Sequence, residues 1–510
     1  MLKADIRIES KRVFLNGCFG EKKRTLERYT LGNNTRVVDK INSAKGASLM
    51  TNLVNGSLVS ILCACALWIS SSALAGDPIP EGWLAHNLEP IGFLDYQDRY
   101  AGKFTIKEHE GRWYLYTAVN KTQEGRGPIL PPALRIVDVT DPTDPTVVKD
   151  IEYPMDGNMS QITSQGNLLM VGMARELTQY DTQNAINFMS EFQPEEVPAD
   201  KLKYEGVLLF DISDPVNPVE LSHWETGAYG AHRNILHDGY AYISASAPGY
   251  RAQILKILDV RDPRNPVEVG QWAQFGQRLG EERQDGVIPS FHGPAIISPD
   301  GNTAILGFTP DMVSLDISDK SNPKVIGRLQ IVPPFVNNVT QSVHTVIPYW
   351  DRGLVYVNGE PKIAQCGESI SANIMVQNAD PTKPYMMSTF PIPEVPEGYV
   401  VDNFCDRPGR FGPHNVNNEI HNQDVMQPND LIHLAYFNAG LRVYDIGEPR
   451  LPKEVGWFLP GDPKTPKRSQ SGYMPIAITQ EVLIDTRGNI FTSGATGMYV
   501  LRNSGDLEGR

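Results

Sequence analysis

The 510-residue chain is predicted to be all-β: a seven-bladed β-propeller of four-stranded antiparallel blades, closed by an N-terminal strand. Three observations predict this. A β-branched run ending in a proline turn occurs six times at domain-sized intervals, five times with both prolines. A further pair of strand-like runs joined by a short turn precedes each copy. A seventh run stops before its turn, and a stretch at the start of the array reads like the outer strand it lacks.

The first copy is Leu134-Arg-Ile-Val-Asp138-Val-Thr-Asp141-Pro142-Thr-Asp-Pro145. Close copies begin at Val207 and Lys256, and a third at Val313 lacks only the first proline. The copies at Ile374 and Leu441 drift further, and Met498-Tyr-Val-Leu-Arg502 is the seventh run. Within a copy the β-branched run is a strand, and the aspartate at its end can accept from backbone two residues on. The two prolines exclude helix and pre-set a tight reversal. A second strand leaves the second proline, as in Val219-Glu-Leu-Ser-His-Trp and Val267-Glu-Val-Gly-Gln-Trp, so the unit is a hairpin. Upstream runs such as Ile235-Leu-His-Asp-Gly-Tyr-Ala-Tyr-Ile-Ser carry Asp-Gly turns that favour a second hairpin. Four strands per unit, radially repeated, make a propeller blade. Leu88-Glu-Pro-Ile-Gly-Phe-Leu-Asp should supply the outer strand of the seventh.

These units resemble the LVIVD-repeat propellers of bacterial surface and secreted proteins, over about residues 88–502. The resemblance implies the fold and no particular activity, because propellers host many unrelated functions.

Residues 1–75 read as a leader and 76–510 as one propeller domain. Residues 1–49 carry eleven Lys or Arg and five Asp or Glu without hydrophobic periodicity, and Met50 offers a second start. The run from Leu58 to Ile69 is too short to span a bilayer and is followed by Ala73-Leu-Ala75, the small-x-small pattern of signal-peptide cleavage. Export to the periplasm or the exterior is expected, with no transmembrane segment in the mature chain. No positive charge lies between Met50 and Leu58, so the n-region would be Lys45 and the basic stretch before it, or translation starts elsewhere. Without the leader, 35 Lys or Arg face 55 Asp or Glu, a net charge of −20, which argues against nucleic acid as a partner. Of the five cysteines only Cys366 and Cys405 lie beyond the leader, and an exported pair is a candidate disulfide.

Loop lengths separate the two faces of the ring. Turns within the hairpins are short, whereas connections such as Lys121–Pro132, Arg175–Glu205, Phe275–Phe291, Gly359–Ala372, Pro391–Pro413 and Gly461–Thr479 all fall on the other face. Loops of this length in a compact scaffold are more often functional than accidental, so an unidentified ligand or protein is expected to bind there. Cys366 and Cys405 both lie on this face.

Aligning the innermost strands by their turns puts His232, His292, His344 and His421 at one structural position in four consecutive blades, with Glu481 at that position in the seventh. His414 takes the place of His421 if the sixth blade slips by a turn. In the first two blades the position falls on Phe104 and Met159. Four of ten histidines at the channel mouth could converge on zinc, copper or iron, and Glu481 would be the catalytic carboxylate or an orienting partner. The layout resembles that of carotenoid-cleaving oxygenases, whose blades contribute iron-binding histidines, and shares no motif with them. GxGxxG after a strand, a Walker loop, CxxC, HExxH and Gly-x-Ser-x-Gly are all missing. The repeat aspartates have a turn-forming task that makes calcium there unnecessary. Two readings follow: an exported binding module, or a metal-dependent redox enzyme working at the channel mouth.

Overall fold

The strand-forming runs and proline turns fold as that pattern requires. The computed structural model describes residues 27–31, 34–38, 77–120, 130–153, 157–175, 205–282, 289–331, 341–469 and 472–510. Residues 1–71 and 72–510 form separate compact units. In the first, Glu27–Leu31 pairs antiparallel with Asn34–Val38. The apolar run Leu58–Ile69 and the cleavage pattern at Ala75 lie outside the described residues. Among the described residues no helix is long and apolar enough to cross a membrane.

The second unit is a ring of seven four-stranded antiparallel blades. The innermost strands of blades one to five are Ala101–His109, Gly157–Gln165, Ala231–His237, Ser290–Ile297 and Gln341–Tyr349, and that of blade seven is Thr479–Ile484. In blade six the sheet runs Leu431–Ala435, Leu441–Asp445, Lys453–Leu459, with Leu84–His86 added outside. Its inner strand is a stub in which Val416 bridges Leu434. Blade seven is closed by Leu88–Asp95, which pairs with Gly497–Asn503 so that Leu94 faces Met498 and Glu89 faces Arg502.

Each repeat turn performs a double task. Both acids cap their own turns: Asp259 and Asp262 accept from the backbone of Arg261 and Arg264, and Asp316 and Asp319 from Ser318 and Ser321, at 2.9–3.1 Å. The turn then docks on the outer strand of the preceding blade. The Pro263 and Pro449 carbonyls accept from Ser222 and Ser388 at 2.6 Å. The carbonyls of Pro142, Lys320 and Pro381 press on Gly92, Gly270 and Gly327, where an added Cβ would meet them at 2.2, 1.8 and 2.0 Å. The repeat is therefore the seam between blades as well as the hairpin within one. Apolar clusters fill the same seams, for instance Phe291, Leu306 and Val313 against Tyr242, Leu255 and Ile257.

A second recurrent feature sits at the axis. The inner strands of blades one to five and seven all carry a register shift near their starts, at positions spanning Lys103, Gln161, His232, His292, His344 and Gln480. A bulge breaks strict alternation and re-aims a side chain. For this reason blades one and two present Lys103 and Gln161 to the interior polar network, while Phe104 and Met159, the residues reached by counting along a regular strand, are buried in apolar clusters.

Below this level the channel is filled. After Val416 the chain leaves blade six and touches the inner strands of the other blades in turn. Asn418 accepts from Lys103, Glu419 from Thr163 and Gln161, and Asn422 donates to the Ile106 carbonyl. Ile420 packs with Ile235, Ile296 and Val346, and Val425 bridges Asp485. The segment is a plug, so the mouth above it has a floor.

Candidate metal centre in the channel mouth

Three histidines carried by bulged inner strands and one from the stub of blade six meet above the plug. Ring centroids of His232 and His292 are 4.4 Å apart, of His292 and His344 4.4 Å, and of His344 and His414 4.9 Å, an arc across four consecutive blades. At its centre is Glu360, the last residue of the buried strand Leu354–Glu360 in blade five. One carboxylate oxygen lies 3.6 Å from His292 Nε2 and 3.5 Å from His344 Nε2, and the other 3.6 Å from His414 Nε2. His232 Nε2 and His292 Nε2 face each other at 3.2 Å. The group His292, His344 and Glu360 could hold a metal ion, since their ligand atoms all lie within 4.8 Å of one another.

Hydrogen bonds behind two of the rings settle which nitrogen faces inward. His414 Nδ1 donates to the Gln480 carbonyl at 2.7 Å, which leaves the Nε2 lone pair toward Glu360. His344 Nε2 meets the Arg233 guanidinium at 3.0 Å; a guanidinium only donates, so this nitrogen accepts and Nδ1 donates to Thr345 Oγ1 at 2.6 Å. A carbonyl or hydroxyl fixing the outer nitrogen is the usual support of a metal-ligating imidazole. Burial holds all four rings neutral: His232 is lowered to about 3, with Arg233 and Lys362 adding to the effect, and His292, His344 and His414 fall well below the ordinary histidine value.

Glu360 is 1% exposed and is surrounded by cations. Arg410 Nη1 donates to one oxygen at 2.6 Å, and Lys362 Nζ donates to the other. Burial pushes the carboxyl up, but Lys362 and Arg410 more than offset this and hold it well below the usual carboxylate range. Lys362 and Arg410 come from the two long loops joined by the Cys366–Cys405 disulfide. The Gln365 N–H also donates to the Gly409 carbonyl across those loops. The bridge thus ties together the segments that deliver both cations.

Glu481 belongs to a neighbouring polar group. Lys103 Nζ lies 3.1 Å from its carboxylate and 3.2 Å from Asn418 Oδ1. Burial raises Glu481 and raises Glu419 to about 8, and lowers Lys103 to about 8. His421 is not brought into the arc. The sixth blade has no full inner strand, so the chain has already run down the axis as the plug when it reaches residue 421. There His421 Nε2 accepts from the Ile297 N–H at 3.1 Å and its ring lies 4.6 Å from that of His237. His414 stands where the alignment had set His421.

Sequence reasoning missed Glu360, Lys362, Arg410 and Arg233. One signal was available: Leu354-Val-Tyr-Val-Asn-Gly-Glu360 is an apolar strand ending in a carboxylate on the long-loop face.

The LVIVD repeat model matches residues 301–330. No curated protein matches the chain. Among solved structures, the periplasmic gluconolactonase PpgL of Pseudomonas aeruginosa is similar at 12% identity and a TM-score of 0.45, covering 77% of this chain and 97% of its own. A protein from Lactobacillus plantarum aligns at 10% identity and 0.44, covering 74% and 93%. The Cps50 (Swd1) β-propeller domain of Myceliophteria thermophila aligns at 10% and 0.43, covering 79% and 97%. Likeness at this level says nothing of activity. The chain is a seven-bladed β-propeller in which residues 301–330 match the LVIVD repeat.

Proposed function

We propose that the chain is an exported metal-binding propeller, with a divalent transition ion held at the channel mouth by His292, His344 and Glu360, and with His232 and His414 completing or exchanging within the set. The observation that carries this reading is the convergence of neutral imidazole nitrogens on one buried carboxylate. Ligand atoms around a tetrahedral ion with bonds of about 2.1 Å stand roughly 3.4 Å apart. Glu360 stands 3.5 and 3.6 Å from the Nε2 atoms of His344 and His292, and His232 Nε2 stands 3.2 Å from His292 Nε2. Imidazole with one carboxylate suits iron, zinc or copper and disfavours calcium or magnesium, which take all-oxygen shells. Export is supported by the apolar run before Ala75 and by the disulfide, which persists in oxidising compartments. The long loops around the mouth would meet the ligand or partner.

A second reading, a metal-dependent redox enzyme at the same mouth, is favoured by Glu481 and Glu419. Burial raises both, the direction an acid–base carboxyl requires, and Lys103 donates to Glu481. Metal analysis of protein purified without a histidine tag tests the first reading. Near-stoichiometric iron, zinc or copper is expected, falling in a His292/His344 double alanine variant. Redox cycling or turnover lost in Glu481→Gln with metal retained would favour the second.

A further inference from the structure

Arg233 follows His232 directly and is 5% exposed. Buried guanidinium groups are ordinarily matched by a carboxylate, because an unpaired buried cation is costly. Among the described residues none lies within ion-pair distance of Arg233. Its partners are Gln161 Oε1 at 3.4 Å and His344 Nε2 at 3.0 Å, and its Nε is buried without a partner. Other cations near the centre are better supplied: Lys362 and Arg410 share Glu360, and Lys103 has Glu481.

The contact with His344 conflicts with metal binding. That nitrogen offers one lone pair, which can serve the guanidinium or an ion but not both. When an ion takes it, Arg233 Nη2 loses its acceptor, and the Nε and Nη2 hydrogens together form a free edge of two parallel donors. Such an edge matches two oxygens of one anion, a carboxylate above all.

Resting on the metal reading, we propose that the ion is bound together with a carboxylate-bearing ligand, one end on the metal and the other on the Nε/Nη2 edge of Arg233. Substrates or cargo of this site are therefore small organic acid anions, and metal and anion bind synergistically.

The test is titration of the metal-free full chain with Co²⁺, whose visible spectrum reports its ligands, in chloride alone and with acetate, oxalate or inorganic phosphate added. Wild type should bind Co²⁺ about tenfold more tightly with oxalate or acetate, within the 5–150-fold typical of coupled sites, and the spectrum should change. Arg233→Gln should bind Co²⁺ in chloride at least as well as wild type, because the competition for His344 is gone, and should lose the carboxylate enhancement. Arg233→Lys, which keeps the charge without the fork, should lose most of it and covers the case in which the glutamine variant does not fold. Enhancement by phosphate and not by carboxylates overturns the ligand class. Equal Co²⁺ affinity in every anion, or enhancement surviving in both variants, overturns the proposal while leaving the metal site standing. Absence of Co²⁺ binding under all conditions removes the metal reading and this proposal with it.

Discussion

Gly270→Ala isolates the repeat's role as a seam. Gly270 lies in the outer strand of blade three, and the Lys320 carbonyl oxygen of the next blade's turn would stand 1.8 Å from an added Cβ, with the carbonyl carbon at 2.9 Å and Ser321 Cα at 3.3 Å. The obstacle is backbone on a turn held by two aspartate caps, so a methyl fits only if blades three and four separate. Forcing a methyl into packed backbone costs about 1–3 kcal/mol. Ser222→Ala at the corresponding place in blade two should cost less, roughly 0.5–1.5 kcal/mol, because it deletes one hydrogen bond to Pro263 without displacing anything. Thermal melting of the two variants beside wild type reads the difference: Gly270→Ala should melt a few degrees lower, at roughly 2–4 °C per kcal/mol or less in a domain this large, and lower than Ser222→Ala. If Gly270→Ala melts with wild type, or above Ser222→Ala, the turn does not clamp the neighbouring blade and the reasoning fails.

Two further outcomes follow from buried charges and cross-links. Asp150 accepts from Arg99 at 3.0 Å and from Arg135 at 2.8 Å, and both guanidinium groups are nearly inaccessible to solvent. Asp150→Asn should therefore cost about 3–5 kcal/mol in denaturant unfolding, the range for leaving buried cations unpaired; a loss under about 1 kcal/mol refutes the pairing. Burial pushes the Asp150 carboxyl up, but the two arginines overcome this and leave it below the usual value. Its contribution is thus complete above an unfolded pKa of about 3.9 and is lost as pH falls through the lower folded value. Replacing Cys366 and Cys405 by serine opens a loop spanning 39 residues, which should cost roughly 3–4 kcal/mol. It should also loosen metal retention, since Lys362 and Arg410 ride on those loops; unchanged metal content would separate the bridge from the site.

The fold was legible because the repeat writes its own geometry: Asp259 and Asp262, Asp316 and Asp319 cap the turns their spacing implies, and Leu88–Asp95 closes blade seven as the missing outer strand requires. His232, His292 and His344 were legible for the same reason, as one position recurring in successive blades. Legibility ended where the period broke. Bulges shifted the inward position from Phe104 to Lys103 and from Met159 to Gln161, and no pattern of alternation announces a bulge. In blade six the inner strand stops after Val416, so counting along it led to His421 when the chain had already turned into the plug. Glu360, Lys362 and Arg410 come from a strand end and two loops, and only the closed ring brings them together.

The most direct measurement is the metal content of the full chain, purified without a tag and without chelators, by elemental mass spectrometry, for wild type and the His292/His344 double alanine variant. The account predicts about one transition ion per wild-type chain and little in the variant, both proteins retaining the β-sheet circular dichroism of the propeller. Wild type free of metal and unable to take up iron, zinc or copper, or a variant holding as much as wild type, would contradict it.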